Sequence, residues 1–214
     1  MNAAGMLRCF VGIQAGVLLT EGFRSAVEEL RESAERSGWR VSWTQPEGWH
    51  VTLKFLGDVD PDRVSEVADR VRVAVGVVPR FVMTATGVVV LPPAGEPRVI
   101  TAGLRDDGSL ARLAAAIDDA LEPLGFARET RRFTPHLTLG RVRGASRFGV
   151  RKVREVPMGE TSAIHACLAR LRDQRFAEKN VGCVELLRSH LAPGGSMYTS
   201  LESFGLAAES AAGA

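Results

Sequence analysis

A tetrapeptide that occurs twice constrains this chain more than its length or composition does: His50-Val51-Thr52-Leu53 in the first half and His136-Leu137-Thr138-Leu139 in the second. Each copy reads His, apolar, Thr, Leu. On a β-strand successive side chains alternate between faces, so His50 and Thr52 project together while Val51 and Leu53 point into a core; the second copy divides the same way. Pro46 precedes the first copy and Pro135 abuts the second, which disfavours helix at Thr134 and favours an extended chain there. A lone strand histidine is more often structural than catalytic. Two copies in matching settings are a stronger signal, because a two-fold arrangement of two lobes brings both polar pairs into one cleft.

The flanking pattern is consistent with two halves of similar make-up. Leu7 to Ile13 reads as a buried strand, and Phe23, Val27, Leu30 and Ala34 recur at helical spacing before Gly38. Arg40 to Thr44 and Trp49 to Leu56 are extended runs separated by Pro46, Glu47 and Gly48, which predicts two adjacent strands. Asp60 and Pro61 open a helix with Val64, Val67, Val71 and Val75 on one stripe. Phe81 to Leu91 and Arg98 to Leu104 read as strands, and Ser109 as the cap of a helix carrying Leu110, Leu113, Ile117 and Leu121 and ended by Gly125. Phe133 to Val142 returns as a strand, 143–160 reads as a flexible basic loop, and Ile164 to Leu171 as a short helix. Gly182 to Leu187 and Ser196 to Phe204 supply two more strands. The expectation is an α+β fold: one two-lobed domain over residues 1–206, with an Ala, Gly and Ser-rich tail, 207–214, left disordered.

Composition narrows the function classes. At 45% hydrophobic and 24% charged, the 214 residues can build a sizeable core, and no stretch reaches the ~20 apolar residues that span a bilayer. The three cysteines, Cys9, Cys167 and Cys183, lack any C-x-x-C spacing, which argues against a disulfide framework and a cysteine zinc site and for a reducing cytoplasm. The net charge of +2 conceals an asymmetry. Residues 128–154 hold Arg128, Arg131, Arg132, Arg141, Arg143, Arg147, Arg151, Lys152 and Arg154 against Glu129 alone, so this window carries +8 and the remainder −6. Such a stretch is either a solvated loop or a surface for phosphate. No third metal ligand stands at the right spacing: there is no H-x-x-x-H, no cysteine pair and no carboxylate beside either motif, so no metal and no cofactor is expected.

Four blocks follow one another in a familiar order: FVGI from Phe10, PEGWHVTLKFLGDV at 46–59, RRFTPHLTLGRV at 131–142 and VELLRSHLAPGGSMYTSL at 184–201. With them the chain resembles the two-histidine phosphoesterase superfamily, whose members carry paired His-x-Thr/Ser-x motifs with x apolar. More narrowly it resembles the bacterial and archaeal RNA 2′,3′-cyclic phosphodiesterases, also called 2′-5′ RNA ligases. The resemblance implies a bilobal, pseudo-duplicated α+β fold of two antiparallel-rich sheets with helices outside, and one His-Thr pair on each wall of a cleft between the lobes. It implies hydrolysis of RNA ends bearing a 2′,3′-cyclic phosphate with release of the 3′ oxygen, leaving a 2′-phosphate; joining of RNA ends is the reverse of this reaction type. The expected partner is RNA, with no membrane and a monomeric chain. Trp49 and the long stretch from Gly144 to Glu160 depart from the family pattern and bear on substrate preference, not on reaction class.

The chemistry assigns roles. A water attacks phosphorus opposite the departing ribose oxygen, so two proton carriers flank the phosphate, and histidine suits both jobs because its pKa of about 6.5 lets one imidazole be neutral and the other protonated. His50 is assigned as the acid and His136 as the base, in a sequence nearly symmetric between them. Thr52 and Thr138 donate to the non-bridging oxygens, and Arg141, which matches the arginine following this motif in the family, stabilises the transition state. Strict alternation places Arg141 on the opposite face from His136, so its role requires a bulge or strand end near Gly140. Lys54 shares the face of His50 and Thr52 under the same alternation, and either binds phosphate or is solvated. Tyr198 matches a tyrosine near the cleft in similar proteins but stays outside the catalytic set. Trp39, Val41 and Trp43 read as core; Trp49 and Phe133 are the better stacking candidates, with packing the favoured reading for both. His165 and His190 read as surface or structural residues. The competing functions are a non-catalytic module that binds RNA ends and a phosphodiesterase for small cyclic phosphates.

Overall fold

The structure, a computed structural model, describes residues 5–16, 20–93, 96–143, 163–192 and 195–208. Strand β1 (Leu7–Gln14) is apolar and buried through its middle, as a strand covered on both faces must be. After it comes α1 (Glu21–Arg36), capped by Thr20, whose hydroxyl accepts from the Phe23 N–H at 3.3 Å, and buried along Phe23, Val27, Leu30 and Ala34. Strand β2 (Val41–Trp43) and strand β3 (His50–Val59) are joined by a short 3-10 turn at Pro46–Gly48. Helix α2 (Val64–Gly76) buries Val67, Val71 and Val75, with Val64 partly covered at its start. Strands β4 (Phe81–Leu91) and β5 (Val99–Arg105) lead to α3 (Ser109–Leu121) and then to β6 (His136–Val142). The chain closes with α4 (Ala163–Leu171), β7 (Arg175–Val181), β8 (Cys183–Ala192) and β9 (Gly195–Gly205).

The strands form two antiparallel sheets, β3-β1-β8-β9 and β2-β6-β5-β4-β7. Helices α2 and α3 pack on each other and against β9 and β3 of the four-stranded sheet, whereas α1 and α4 pack on each other and against β7 and β4 of the five-stranded one. The α+β class and the two layered sheets agree with the sequence, but the lobes are not the two halves of the chain. Strand β1 belongs to one lobe and the helix after it to the other; α3, which follows β5, returns to the first. The two extended runs around Pro46 are likewise not neighbours. Thr44 N–H still donates to Leu139 O of β6 at 2.9 Å, while Trp49 O already accepts from Ala15 N–H beside β1 at 2.8 Å, so the Pro46–Gly48 turn carries the chain from one sheet to the other.

Three smaller expectations change. Ser109 is the first residue of α3 and not its cap; Asp107 Oδ1 accepts from the Ser109 N–H and Asp106 Oδ2 from the Leu110 N–H, because Gly108 at the cap has no side chain to offer. Leu110, Leu113, Ile117 and Leu121 are all buried as the spacing requires. Strand β7 was not expected. It pairs only with β4, and an edge strand covered on one face needs few apolar residues, here Phe176, Ala177 and Val181. The expected basic loop falls, beyond Arg143, on residues outside the described ones, as does the tail beyond Ala208; Ala207 itself bonds to Val78 and Arg80.

Both motif strands contain a one-residue bulge at the same place. In β3, Thr52 stands opposite Gly12 and Lys54 opposite Val11, so Leu53 has no partner. In β6, Thr138 stands opposite Thr101 and Gly140 opposite Ile100, so Leu139 has none. An unpaired residue reverses the face on which each later residue of its strand stands. Lys54 therefore leaves the face of His50 and Thr52 and joins the buried Val11 on the helix side, where it is 6% exposed, pairs with Asp118 of α3 and donates to Ala127 O at 2.8 Å. Asp118 also accepts from the Glu129 N–H at 3.1 Å, tying the segment before β6 to the same pair. Asp118→Ala strands a buried ammonium and is expected to lower stability by about 3 to 5 kcal/mol, while the double change Lys54→Met, Asp118→Leu lies much nearer the wild type. Urea unfolding measures both, and a loss of under about 1 kcal/mol for Asp118→Ala would show the pair to behave as a solvated one.

Candidate active site

Strand β3 lies at one edge of the four-stranded sheet, and β6 is the second strand from the edge of the five-stranded sheet; the two strands touch where the sheets meet. On β3, His50, Thr52 and Phe55 stand opposite Gln14, Gly12 and Phe10, alternate residues of β1 that share one face. On β6, His136, Thr138 and Arg141 stand opposite Gly103, Thr101 and Val99, which alternate with the fully buried Ala102 and Ile100. The Leu139 bulge therefore brings Arg141 round to the face of His136 and Thr138, the geometry its role requires. Gly140, just beyond the bulge, has no room for a side chain: a Cβ there would lie 2.7 Å from Val41 Cγ1 and 2.9 Å from Trp43 Cε3. Gly12, facing Thr52, is equally confined, with Val51 O 2.6 Å from where its Cβ would be.

The two histidines are held alike. His50 Nδ1 lies 2.8 Å from Gly48 O and His136 Nδ1 lies 2.8 Å from Thr134 O, each the carbonyl two residues earlier. A carbonyl only accepts, so Nδ1 carries the hydrogen in both rings and Nε2 is the nitrogen left for chemistry. His50 is also gripped by aromatic rings, with Phe10 at 4.7 Å and Tyr198 at 4.5 Å between centroids. Burial pushes the His50 pKa below its usual 6.5; the bond to Gly48 opposes this, and the positive charges of Arg141 and His136 add to the lowering. That coupling puts both motifs and Arg141 in one electrostatic neighbourhood. His50, Thr52, His136, Thr138 and Tyr198 are half-buried, whereas Arg141 and Phe55 are exposed.

Other residues singled out in the sequence fall elsewhere. Trp49 is buried, its indole N–H donating to Thr44 O at 3.2 Å and its ring against Phe23, so it does not face the cleft. Phe133 is partly buried against the core, as are Trp39, Val41 and Trp43. Trp39 and Trp43 also line a hollow of about 660 Å³ between α1 and β2 with Arg31, Arg40 and Arg143; it holds neither motif histidine. His165 lies edge-on to Trp39, and His190 Nε2 bonds to the Thr199 hydroxyl at 3.2 Å. Of the basic window, Arg128 pairs with Asp119 and Glu122, and Arg143 bonds Ser42, whereas Arg147, Arg151, Lys152 and Arg154 lie outside the described residues. Sequence reasoning passed over Phe10 and Phe55. Setting the two motifs in register would have found Phe55, since it holds the position after His50 that Arg141 holds after His136. Among the described residues no group of three or more His, Cys, Asp and Glu side chains could hold a metal ion, and no helix is long and apolar enough to cross a membrane.

Comparison with known proteins accords with this geometry. A protein of Archaeoglobus fulgidus named RNA 2′,3′-cyclic phosphodiesterase is 31% identical over 198 residues, 92% of this chain and 99% of its own. One of the same name from Methanothermobacter thermautotrophicus is 28% identical over 200 residues, 94% of this chain and 99% of its own. Among solved structures, TT0787 of Thermus thermophilus superposes with a TM-score of 0.69 at 24% identity, covering 95% of this chain and all of its own. E. coli LigT complexed with 3′-AMP superposes at 0.63 and 20% identity, covering 94% and 98%. The family model described as LigT-like phosphoesterase matches residues 17–101 and 104–198, one motif in each span, and the chain belongs to that family.

Proposed function

We propose that this chain hydrolyses RNA 2′,3′-cyclic phosphodiester ends to 2′-phosphomonoesters by paired-histidine acid and base catalysis, as a monomer and without a metal. The observation that carries the reading is the matched pair of imidazoles, each fixed by a backbone carbonyl at 2.8 Å so that Nε2 points the same chemistry at a shared cleft. The relatives' name supplies the substrate class. A bare RNA-end binder needs positive charge at the phosphate and has no use for an imidazole kept neutral, which is what the burial of His50 favours.

The same direction of shift reverses the acid and base assigned from the sequence. His50, whose pKa is lowered, is the ring that is neutral near pH 7 and serves as base; His136 then serves as acid. Water attacks phosphorus as His50 Nε2 takes its proton, the bond from phosphorus to the ribose 3′ oxygen breaks, and the His136 Nε2 proton passes to that oxygen. Thr52 and Thr138 donate hydrogen bonds to the non-bridging oxygens, and Arg141 balances the charge that builds on them. A 5′-hydroxyl in place of the 3′ leaving oxygen, run backwards, yields a 2′-5′ joint by the same proton transfers.

RNA ending in a 2′,3′-cyclic phosphate is the decisive substrate. Chromatography of the product is expected to show the 2′-phosphate, at a rate that exhaustive chelation leaves unchanged; a 3′-phosphate overturns the regiochemistry, and a rate abolished by chelator and restored by zinc or manganese overturns the metal-free reading. His50→Ala and His136→Ala are each expected to lose roughly two to four orders of magnitude in turnover while keeping the wild-type circular dichroism, with His165→Ala and His190→Ala as unaffected controls. Near wild-type turnover in either folded motif mutant ends the two-histidine mechanism. A substrate whose leaving group needs no proton should rescue His136→Ala more than His50→Ala; the opposite restores the sequence assignment.

The pH profile of kcat/KM tests the electrostatics. Its rising limb reports deprotonation of His50 and is expected below pH 6.5. Arg141→Gln removes a positive charge that disfavours the imidazolium, so the His50 pKa rises and the limb moves to higher pH, besides any loss in rate. Proton NMR titration of the His50 ring reads the same shift directly. A limb that stays in place or moves down would falsify the coupling between Arg141 and His50.

A further inference from the structure

The register of the two motifs leaves one cleft residue without a task. Phe55 and Arg141 follow their histidines by the same number of residues, across the same bulge, and stand on the same faces as their threonines. Arg141 puts a positive charge close enough to act on His50. The β3 wall carries a phenyl ring at the matching place, which offers a phosphate neither a donor nor a charge. That ring is 68% exposed, although a sheet face lined by a core residue such as Phe10 could have covered it. It ends a run of rings along the wall: Tyr198 lies against His50, His50 against Phe10 at 4.7 Å, and Phe10 against Phe55 at 6.1 Å with the planes tilted by 48°. Phe10 is buried, so Phe55 is backed by a fixed ring on one side and open on the other.

We propose that Phe55 is the stacking platform for a nucleobase: beside the His50-Thr52 pair, backed by Phe10 and open to the cleft, it takes the base of the nucleotide whose cyclic phosphate lies between the histidines. The inference rests on the phosphodiesterase reading and adds to it the side on which the base lies. Arg141 marks the phosphate end of the cleft and Phe55 the base end, so two walls built on one motif receive an asymmetric substrate in one direction. Every base has a π-face, so a phenyl platform accepts all of them without reading an edge, which suits an enzyme of RNA ends of mixed sequence.

The test compares ligands that share the phosphate and differ in the base. Titration calorimetry of the full chain with a nucleoside 2′-monophosphate and, separately, with inorganic phosphate is run on the wild type, Phe55→Ala and Phe55→Trp, with KM and kcat for a nucleoside 2′,3′-cyclic phosphate alongside. Phe55→Ala is expected to weaken the nucleotide roughly 5- to 100-fold and phosphate by no more than about twofold, to raise KM far more than it changes kcat, and Phe55→Trp to hold or tighten the nucleotide. Equal weakening of both ligands, or nucleotide affinity unchanged in Phe55→Ala, overturns the platform. A wild type that binds the nucleotide over phosphate through Phe55 yet turns over no cyclic phosphate keeps the platform and removes the hydrolytic reading.

Discussion

Strand side chains alternate, so one residue without a partner reverses the face of everything after it. At Leu53 and Leu139 this happens at the same point after each histidine, and the content of the cleft depends on it. Without the bulge in β6, Arg141 would point at the helices; without the bulge in β3, Lys54 would stand in the cleft and Phe55 in the core. The bulges also divide the positive charge: one long cation is kept at the site, and the other is buried on Asp118. Gly140 and Gly12 serve this arrangement, since each lies where a Cβ would collide with the facing wall or neighbouring strand.

The backbone carbonyls of Gly48 and Thr134 do for the histidines what carboxylates do in many other acid and base pairs: they fix the tautomer and the ring orientation. A carbonyl carries no full charge, so neither imidazole is held protonated by its orienting partner. His50 is then free to respond to burial first and to the charges of Arg141 and His136 second, which is how two chemically identical side chains in near-symmetric settings come to differ.

Much of this was legible in the sequence, and the failures have identifiable causes. The helices with continuous apolar stripes, Phe23 to Ala34, Val67 to Val75 and Leu110 to Leu121, were read correctly because burial at helical spacing leaves a strong pattern. The paired motifs and the need for a bulge before Arg141 were also visible. Lys54 was misplaced because nothing in HVTLKF marks Leu53 as the unpaired residue; the partner strand decides that. Trp49 looked exposed beside a catalytic histidine, but its neighbours in space are Phe23 and Thr44, which local sequence cannot supply. Strand β7 was hidden because an edge strand shows the core only one face. The sheet to which each strand belongs depends on where the turns send the chain, and the jump at Pro46–Gly48 has no periodicity to betray it.

The interleaving of the lobes bears on how such a chain comes into being. The wall that carries His50 is assembled from β1 and β3 near the start of the chain and from β8 and β9 near its end, while the wall that carries His136 is complete once β7 is made. A chain emerging from the ribosome therefore holds both histidine motifs long before the first wall has its last two strands. Until those strands arrive, Phe10 and His50 lack the Tyr198 ring that packs against them. The two walls are encoded by no two contiguous pieces, and a cut anywhere between α1 and β7 leaves both unfinished.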